Sequence, residues 1–350
     1  MKKLLVLIMA LALVLGLAAC GEKEETVETF ELALITDVGT IDDKGFNQSS
    51  WEGLEAYAKD AGLTYKYYQP TEKSDDAYLA AIALAVEGGA KFVVCPGYLF
   101  EVSVGQAQTL YPDVKFVLLD STLGEIKANT LTVLFAEQES GYAAGYAAVK
   151  GGYTKLGFMG GMAVPAVMRY GYGFVAGADA AAKELGIDVE MKYHYTGVFN
   201  ESPEILTLAG AWYADGTEVI FSCGGPIVNS ILAAAEAAEK DVIGVDTDQS
   251  GLSDRVVTSA VKHLSSTVYA AAEAYHKGAW EGGYCKQVTA ANGAGTGLPM
   301  ASTKIEGFTQ EMYDALYAEL IAGTIAIPVD TDYASAADIP VTNMTLTVVE

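Results

Sequence analysis

Three carboxylates and a lysine follow apolar, strand-like runs, where they could bind a polar ligand. Asp37 follows the run that begins at Leu32, Asp120 ends KFVLLD, and Asp246 ends VIGVD. A carboxylate can accept hydrogen bonds from both hydroxyls of a cis-diol, and a lysine can donate to the same oxygens, so Asp246 and Lys262 form a candidate sugar clamp. Their structural alternatives are a helix cap for Asp246 and a solvated surface charge for Lys262.

Aromatic and amide side chains nearby have the chemistry that a flat heterocycle needs. Such a ligand requires apolar faces above and below it and polar atoms at its edge. Phe46 and Phe199 are candidates for the faces, and Asp37, Asn47 and Asp120 for the edge. The alternatives are a hydrophobic staple onto the following helix for Phe46 and a core position for Phe199. Gly224 and Gly225 would let the backbone approach a ligand closely.

Several catalytic and cofactor-binding patterns are missing from the sequence. It contains neither a phosphate-binding G-x-x-x-x-G-K-[ST] loop nor a G-x-S-x-G nucleophile turn. Gly171, Gly173 and Gly177 miss the dinucleotide-binding spacing by one residue, which favours close helix packing instead. Asp37, Asp42 and Asp43 are better explained as a solvated loop than as metal ligands. We therefore expect no catalytic residue, no metal and no cofactor, and the histidines (His194, His263 and His276) share no metal-ligand spacing.

The polar residues are separated by alternating strand-like and helical runs, which predict an α/β protein with parallel sheets. In such sheets ligands bind in the crevice beyond the carboxyl ends of the strands. After the first strand, a helix is expected from an N-cap at Asn47 to a stop at Gly62. The predicted strands are Leu32–Ile35, Thr64–Tyr68, Lys91–Cys95, Lys115–Leu119, Leu131–Phe135, Lys155–Met159, Val189–Tyr193, Glu218–Ser222, Val242–Val245 and Val256–Ala260.

Two stretches share one pattern and indicate two similar lobes. Residues 91–120 and 218–246 each read strand, cysteine, tight turn, helix, strand and aspartate. A chance likeness between two ordinary βαβ units is the alternative. Gly151 and Gly152 lie near the middle of the chain and are a plausible hinge. We expect residues 31–150 with about 263–292 to form the first lobe, and 151–262 with about 298–350 to form the second.

The first twenty residues, MKKLLVLIMALALVLGLAAC, are typical of a lipoprotein signal peptide that ends in the lipobox LAAC. Cleavage would leave Cys20 to carry a lipid anchor outside the cytoplasmic membrane, followed by a flexible tether over residues 21–30. Losing two lysines takes the formal net charge from −24 to −26. So acidic a chain is not expected to bind nucleic acid. Three cysteines lie beyond Cys20, of which Cys95 and Cys223 are predicted to be buried and free of disulfides.

Six segments together resemble the basic membrane protein family of ABC transporter substrate-binding lipoproteins, in its purine nucleoside receptor (PnrA-like) branch. They run over nearly the whole mature chain and read LITDVGTIDDKGFNQSSWEGL, FVLLDS, EQESGYAAGYAA, GYGFVAGAD, GVDTDQS and TSAVK. The resemblance implies the type I periplasmic-binding-protein fold, with two Rossmann-like lobes joined by three hinge crossovers. It also implies delivery of a ligand to an ABC permease.

Carried over residue by residue, the resemblance also implies a nucleoside site. Phe46 and Phe199 would stack on the base, with Asp37, Asn47 and Asp120 at its edge. Asp246 and Lys262 would bind the ribose. The sequence departs from the family pattern at Pro226 and at Gly45, where serine is usual, so the exact nucleoside stays open.

The resulting prediction is a substrate-binding lipoprotein, not an enzyme, that captures a nucleoside between its lobes and delivers it to a permease. The alternatives are a binding protein for a sugar or another small polar ligand, and a ligand-sensing lipoprotein that reports to a membrane receptor. A nucleoside-cleaving enzyme is a third possibility, which release of free base would reveal.

Overall fold

The computed structural model describes residues 29–292 and 295–349. The predicted signal peptide, the lipidation site Cys20 and residues 21–28 of the predicted tether lie outside the described residues. Within the described ranges, no helix combines the length and the apolar character that crossing a membrane requires.

The strands form two sheets in which nearly all neighbouring strands run parallel. The first sheet has the order β11-β5-β4-β3-β1-β2, and the second has the order β12-β10-β9-β8-β6-β7-β13, where only β12 runs antiparallel to its neighbour. The strands are β1 (Leu32–Ile35), β2 (Tyr65–Tyr68), β3 (Phe92–Pro96), β4 (Lys115–Leu119), β5 (Thr130–Phe135), β6 (Lys155–Gly160), β7 (Val189–Tyr195), β8 (Val219–Cys223), β9 (Asp241–Asp246), β10 (Val256–Lys262), β11 (Tyr284–Val288), β12 (Thr296–Gly297) and β13 (Met344–Val348).

Helices cover both faces of each sheet, so the central strands are buried on both sides. Leu32 and Leu34 of β1 pack into the core on one face of the first sheet, whereas Ala33 and Ile35 pack into the core on the other. The helices are α1 (Phe46–Ala61), α2 (Asp75–Glu87), α3 (Glu101–Leu110), α4 (Glu137–Lys150), α5 (Pro165–Leu185), α6 (Pro203–Ala214), α7 (Ile227–Ala238), α8 (Leu264–His276) and α9 (Gln310–Ala322).

All ten predicted strands are present, with ends shifted by at most two residues. Buried parallel strands are continuously apolar and therefore stand out in a sequence. Three further strands were missed, namely β11, β12 and β13. β11 reads YCKQV and is largely exposed, and β12 has only two residues, so neither carries an apolar run.

The chain passes between the sheets three times, after β5, after β10 and after β11. The first crossing differs from the prediction, which placed the boundary at residue 150 and a hinge at Gly151 and Gly152. Instead the chain crosses near Ala136, and α4 packs in the core of the second sheet. Its alanine and glycine residues lie directly against α5, so the helix before the two glycines is part of the second lobe's core.

Candidate ligand-binding site

A cavity lies between the two sheets at the carboxyl ends of their strands. Its lining residues surround about 690 Å³ of space, part of which is open solvent. All nine predicted ligand-binding residues line this one cavity: Asp37, Phe46, Asn47, Asp120, Phe199, Gly224, Gly225, Asp246 and Lys262. Tyr98, Tyr170 and Cys223 also line it and were not predicted to do so.

The two repeated units supply an aspartate each from equivalent positions. Asp120 directly follows β4 and Asp246 ends β9, and both take a left-handed backbone conformation, with φ of 59° and 66°. Aspartate is among the few non-glycine residues that adopt this conformation readily. The turn directs both carboxylates toward Lys262 at the end of β10. Lys262 is only 3% exposed, so it is not a solvated surface charge. Asp246 is the last residue of β9 and is not the N-cap of any helix in the described residues.

Three carboxylates surround the Lys262 ammonium group. Its Nζ donates a hydrogen bond to Asp120 Oδ2 and lies 3.2 Å from Glu137 Oε1 and 3.5 Å from Asp246 Oδ1. An ammonium group has three hydrogens to donate, so these carboxylates can occupy all of them. Lys262 is thus already neutralised and offers little positive charge to a ligand.

Burial and Lys262 shift the pKa values of Asp120 and Asp246 in opposite directions. Burial raises the pKa of Asp120 to about 7, although Lys262 opposes the shift. The pKa of Asp246 is raised for the same reason. Burial also favours neutral Lys262, but the surrounding carboxylates outweigh it and raise its pKa. Lys262 therefore stays charged and holds the aspartates in place.

Glu137 and Arg169 extend this network into the second lobe, and the sequence analysis did not identify either as part of the site. Glu137, at the start of α4, is fully buried, and its Oε2 accepts a 2.6 Å hydrogen bond from Arg169 Nε. Arg169 Nη1 donates to Asp330 Oδ1 at 3.0 Å. Burial favours protonated Glu137, but Arg169 and Lys262 outweigh it and lower its pKa. No local pattern marks these residues, because the partners of each are distant in sequence.

The loop before α1 is held by Asp43 rather than by the predicted N-cap, Asn47. Asp43 Oδ1 accepts hydrogen bonds from the backbone N–H groups of Gly45 and Gln48, at 3.0 and 3.1 Å, and Oδ2 accepts from Asn47 N at 2.9 Å. The helix therefore begins at Phe46, with Gly45 in the N-cap position, two residues earlier than expected. Asp43 looked like a solvated loop residue in the sequence, yet it is 4% exposed.

Asn47 orients Asp37 with its side-chain amide. Its Nδ2 donates to Asp37 Oδ1 and to Asp43 Oδ2, both at 2.8 Å, and its Oδ1 accepts from the backbone N–H of Asp37 at 3.3 Å. The amide hydrogens are therefore used within the protein. Asp37 itself lines the cavity, and its Oδ2 accepts no hydrogen bond from the described residues. Burial raises the pKa of Asp37 to about 6, against the hydrogen bonds from Gly39 and Asn47.

Two phenylalanines line the cavity from opposite lobes. Phe46 begins α1, and its ring centroid lies 4.7 Å from Lys262 Nζ. Phe199 follows β7 and packs over Gly161, where a Cβ atom would come within 2.3 Å of the ring. Glycine at position 161 is therefore required for this placement of Phe199. Neither ring is fully buried, so both can contact a ligand.

The remaining sequence predictions concern cysteines and metals. Cys95 and Cys223 are free and buried, as expected, and Cys285 is free and partly exposed on β11. Within residues 29–292 and 295–349, no group of three or more histidine, cysteine or acidic side chains is arranged to hold a metal ion.

A family model described as "ABC transporter substrate-binding protein PnrA-like" matches residues 30–296. The chain belongs to this family. The ABC transporter nucleoside-binding protein BmpA of Lactococcus lactis is 30% identical over 362 residues, which cover 94% of this chain and 99% of the relative. Basic membrane protein A2 of Borrelia garinii is 30% identical over 77% of this chain and 79% of its own length.

A solved structure of an ABC transporter solute-binding protein from Aeropyrum pernix shares the fold. It superposes with a TM-score of 0.75 and 22% sequence identity, covering 88% of this chain and 95% of that one. The fold is the type I periplasmic-binding-protein fold, as the resemblance implied. The protein is an ABC transporter substrate-binding protein of the Bmp family, a role that implies a small-molecule ligand and a permease. Several other relatives are named lipoproteins, among them one from Pyrococcus furiosus that is 29% identical over 79% of this chain and 72% of its own length.

Proposed function

We propose that this protein captures a purine nucleoside in the cavity between its lobes and delivers it to an ABC permease. It would do so from the outer face of the cytoplasmic membrane, anchored through a lipid on Cys20. The relative from Lactococcus lactis is named for nucleoside binding, which supports the ligand class. A purine nucleoside also fits the hydrogen-bonding groups and the aromatic rings of the cavity.

The observation that carries the proposal is the excess of hydrogen-bond acceptors. Four aspartates and one lysine are the charged residues of the cavity lining in the described part of the chain, and the lysine is neutralised by carboxylates. Asp120 Oδ1 is buried without a hydrogen-bond partner there. A buried acceptor without a partner costs about 1–3 kcal/mol, so a ligand that donates to it gains affinity. The ligand should thus carry several N–H or O–H donors.

The two phenylalanines add the requirement for a flat ring. Stacking between Phe46 and Phe199 would bury both faces of a purine, while Asp37 Oδ2 and Asp120 Oδ1 accept its edge N–H groups. Asp246 would accept the ribose hydroxyls. A sugar alone satisfies the carboxylates but leaves the rings without a partner, so it fits the site less completely.

The direct test is ligand binding by the mature chain, residues 21–350. The protein is first unfolded and refolded by dialysis to remove any ligand that copurifies. Thermal unfolding is then followed with guanosine, inosine, adenosine, pyrimidine nucleosides, free bases and ribose. A ligand at one hundred times its Kd adds about 2.7 kcal/mol of stability. A shift with purine nucleosides supports the proposal, whereas a shift with ribose alone would replace it with sugar binding.

The predicted effect of Phe46→Ala is a purine nucleoside affinity lower by about 1–3 kcal/mol, or roughly 5- to 150-fold, because stacking area is lost. Isothermal titration calorimetry measures the change. Tyr284→Ala is the control, since Tyr284 is an exposed aromatic residue of β11 that does not line the cavity. Equal affinities of Phe46→Ala and the wild type would contradict the stacking role.

A further inference from the structure

Gln249 connects the lobes by a hydrogen bond that involves no residue expected to touch the ligand. It lies in the turn after β9, three residues beyond Asp246, and belongs to the second lobe. Its Nε2 donates a 2.7 Å hydrogen bond to the backbone carbonyl of Lys44, in the loop before α1 of the first lobe. Gln249 is only 2% exposed and is absent from the cavity lining in the described part of the chain.

We infer that Gln249 is a positioning residue that latches the ligand-binding loop of the first lobe, residues 37–45, onto the second lobe. The latch forms only when the lobes are in contact, and it therefore favours the closed arrangement over an open one. A hydrogen bond that exists in one of two conformations shifts the equilibrium toward that conformation.

The second lobe holds the Gln249 amide in a single orientation. Its Oε1 accepts the backbone N–H of Val245 at 3.1 Å, and its own backbone N–H donates to Ser259 Oγ at 3.0 Å. A backbone N–H can only donate, so Oε1 must face Val245 and Nε2 must face Lys44. Gly244 leaves room for this arrangement, because a Cβ atom there would lie 2.5 Å from Gln249 Oε1.

The first lobe also holds the acceptor, the backbone carbonyl of Lys44, in a fixed orientation. Lys44 has a left-handed backbone conformation, with φ of 61°, which is uncommon for a residue other than glycine, asparagine or aspartate. Its N–H donates to Gln48 Oε1 at 3.1 Å, so the peptide is held against α1. Lys44 stands between Asp43, which caps α1, and Gly45, which precedes Phe46. Fixing the Lys44 carbonyl therefore also fixes the start of α1 and the ring of Phe46.

The latch deepens the proposed function and rests on it for the choice of ligand. Because Gln249 donates to the loop and not to the ligand, its effect should be similar for every nucleoside that the site binds. It should act mainly on dissociation, since the ligand leaves after the lobes separate.

The test is Gln249→Glu, which keeps an oxygen for Val245 N–H but removes the donor that faces the Lys44 carbonyl. We expect inosine and guanosine to bind about 5- to 10-fold more weakly, with most of the loss in a faster dissociation rate, measured by stopped-flow and calorimetry. Gln249→Met removes the donor without adding charge but also removes the acceptor of the Val245 N–H, and it should show a loss at least as large. A loss in the glutamate variant alone would assign the effect to charge and overturn the latch.

Gln108→Glu is a matched control within one lobe. Gln108 is 4% exposed, its Nε2 donates to the Glu125 carbonyl at 2.9 Å, and its Oε1 accepts Lys127 N–H at 3.0 Å. The substitution removes the same kind of hydrogen bond without affecting contacts between lobes. It should lower the unfolding temperature and leave nucleoside affinity unchanged. Equal affinity losses in the Gln108 and Gln249 variants would show a general structural effect and overturn the inference.

Small-angle X-ray scattering separates failure of the latch from failure of the proposed function. At saturating inosine, the Gln249 variants should retain a larger fraction of expanded molecules than the wild type and the Gln108 variant. If the wild type binds no purine nucleoside, the proposed function fails, and scattering of the ligand-free proteins then decides the latch. Expansion of the Gln249 variants beyond the wild type would support it, and identical profiles would overturn it.

Discussion

Asp37 shows how a single carboxylate can make both stability and binding depend on pH. Its Oδ1 accepts hydrogen bonds from Gly39 N and Asn47 Nδ2, whereas its Oδ2 accepts none from the described residues. Burial still raises its pKa to about 6, above the usual value of 3.8. Between these two values the free folded protein holds a proton that the unfolded chain has released.

The first pH prediction concerns the ligand-free protein. Since the native state binds more protons than the unfolded state from about pH 4 to pH 6, its unfolding free energy should fall as pH rises through that window. The decrease in unfolding free energy that Asp37 causes across this window is at most about 3 kcal/mol, because its pKa differs by about two between the folded and unfolded states. Denaturant titrations at several pH values measure it. The Asp37→Asn variant should lack this contribution, and identical pH profiles of the two proteins would refute it.

Binding of a nucleoside should show the opposite trend with pH. A ligand that donates N–H groups to Asp37 requires the ionised carboxylate, so affinity should fall below about pH 6, by up to tenfold per pH unit. Asp120 and Asp246 also have raised pKa values, so the comparison with Asp37→Asn isolates the contribution of Asp37. A wild-type affinity that stays constant from pH 7 to pH 5 would exclude this role.

At the residue scale, the sequence predicted which side chains line the cavity but not which hydrogen bonds each of them makes. The strand-end rule grouped Asp37, Asp120 and Asp246 correctly because the carboxyl ends of parallel strands face one crevice. Asn47 was expected to cap α1, yet its amide is used to orient Asp37, and Asp43 provides the cap. Both residues are common at helix starts, so local pattern could not decide between them.

Helices α4 and α5 pack with their backbones in contact. A Cβ atom at Gly145 would lie 2.2 Å from the Phe174 carbonyl oxygen, and one at Gly177 would lie 2.0 Å from that of Tyr142. Gly173 is equally close to Gln138, so the predicted close helix packing is confirmed for Gly173 and Gly177, whereas Gly171 lies against Tyr193 of β7. The contact places Glu137, at the start of α4, beside Arg169 of α5.

Gly145→Ala should therefore lower the unfolding free energy by about 1–3 kcal/mol, because the added methyl group must push two backbones apart. Gly210→Ala is the matched control in α6, since no neighbouring atom of the described residues lies within 4 Å of a Cβ atom there. In a helix interior this control should raise stability by up to about 1 kcal/mol, because alanine has the higher helix propensity. Urea unfolding measures both values. Equal effects of the two substitutions would show that the helices can separate at little cost.

At the element scale, burial explains most but not all of what the sequence revealed. Most of the ten predicted strands are buried and apolar, whereas β11 is mostly exposed and was missed; β2 is also mostly exposed but was predicted, since its tyrosines favour a strand. The crossing at Ala136 was also missed, because the glycine pair at residues 151–152 is a stronger turn signal than a single alanine. The glycines in fact follow α4 within the second lobe, so a turn signal did not identify the lobe boundary.

The whole molecule forms the site by bringing distant segments together. Lys262 meets Asp120 and Glu137, which are 142 and 125 residues away in sequence. The internal repeat predicted that two units would resemble each other, but it carried no information on their relative placement. That placement depends on three crossings and on buried charge pairs, which become visible only in the folded chain. Gln249, which joins the lobes from outside the cavity, lacked any local signal for the same reason.

The negative charge of the whole protein should disfavour phosphorylated ligands. The chain carries a formal net charge of −24, and four of its aspartates line the cavity together with one neutralised lysine. A nucleoside 5′-monophosphate should therefore bind at least about 100-fold more weakly than its nucleoside, with partial recovery at high salt. Calorimetry with inosine and inosine 5′-monophosphate at low and high salt tests this, and 5′-O-methylinosine is the control that adds bulk without charge. An equal loss for the methyl ether, insensitive to salt, would trace the discrimination to the shape of the cleft instead of its charge.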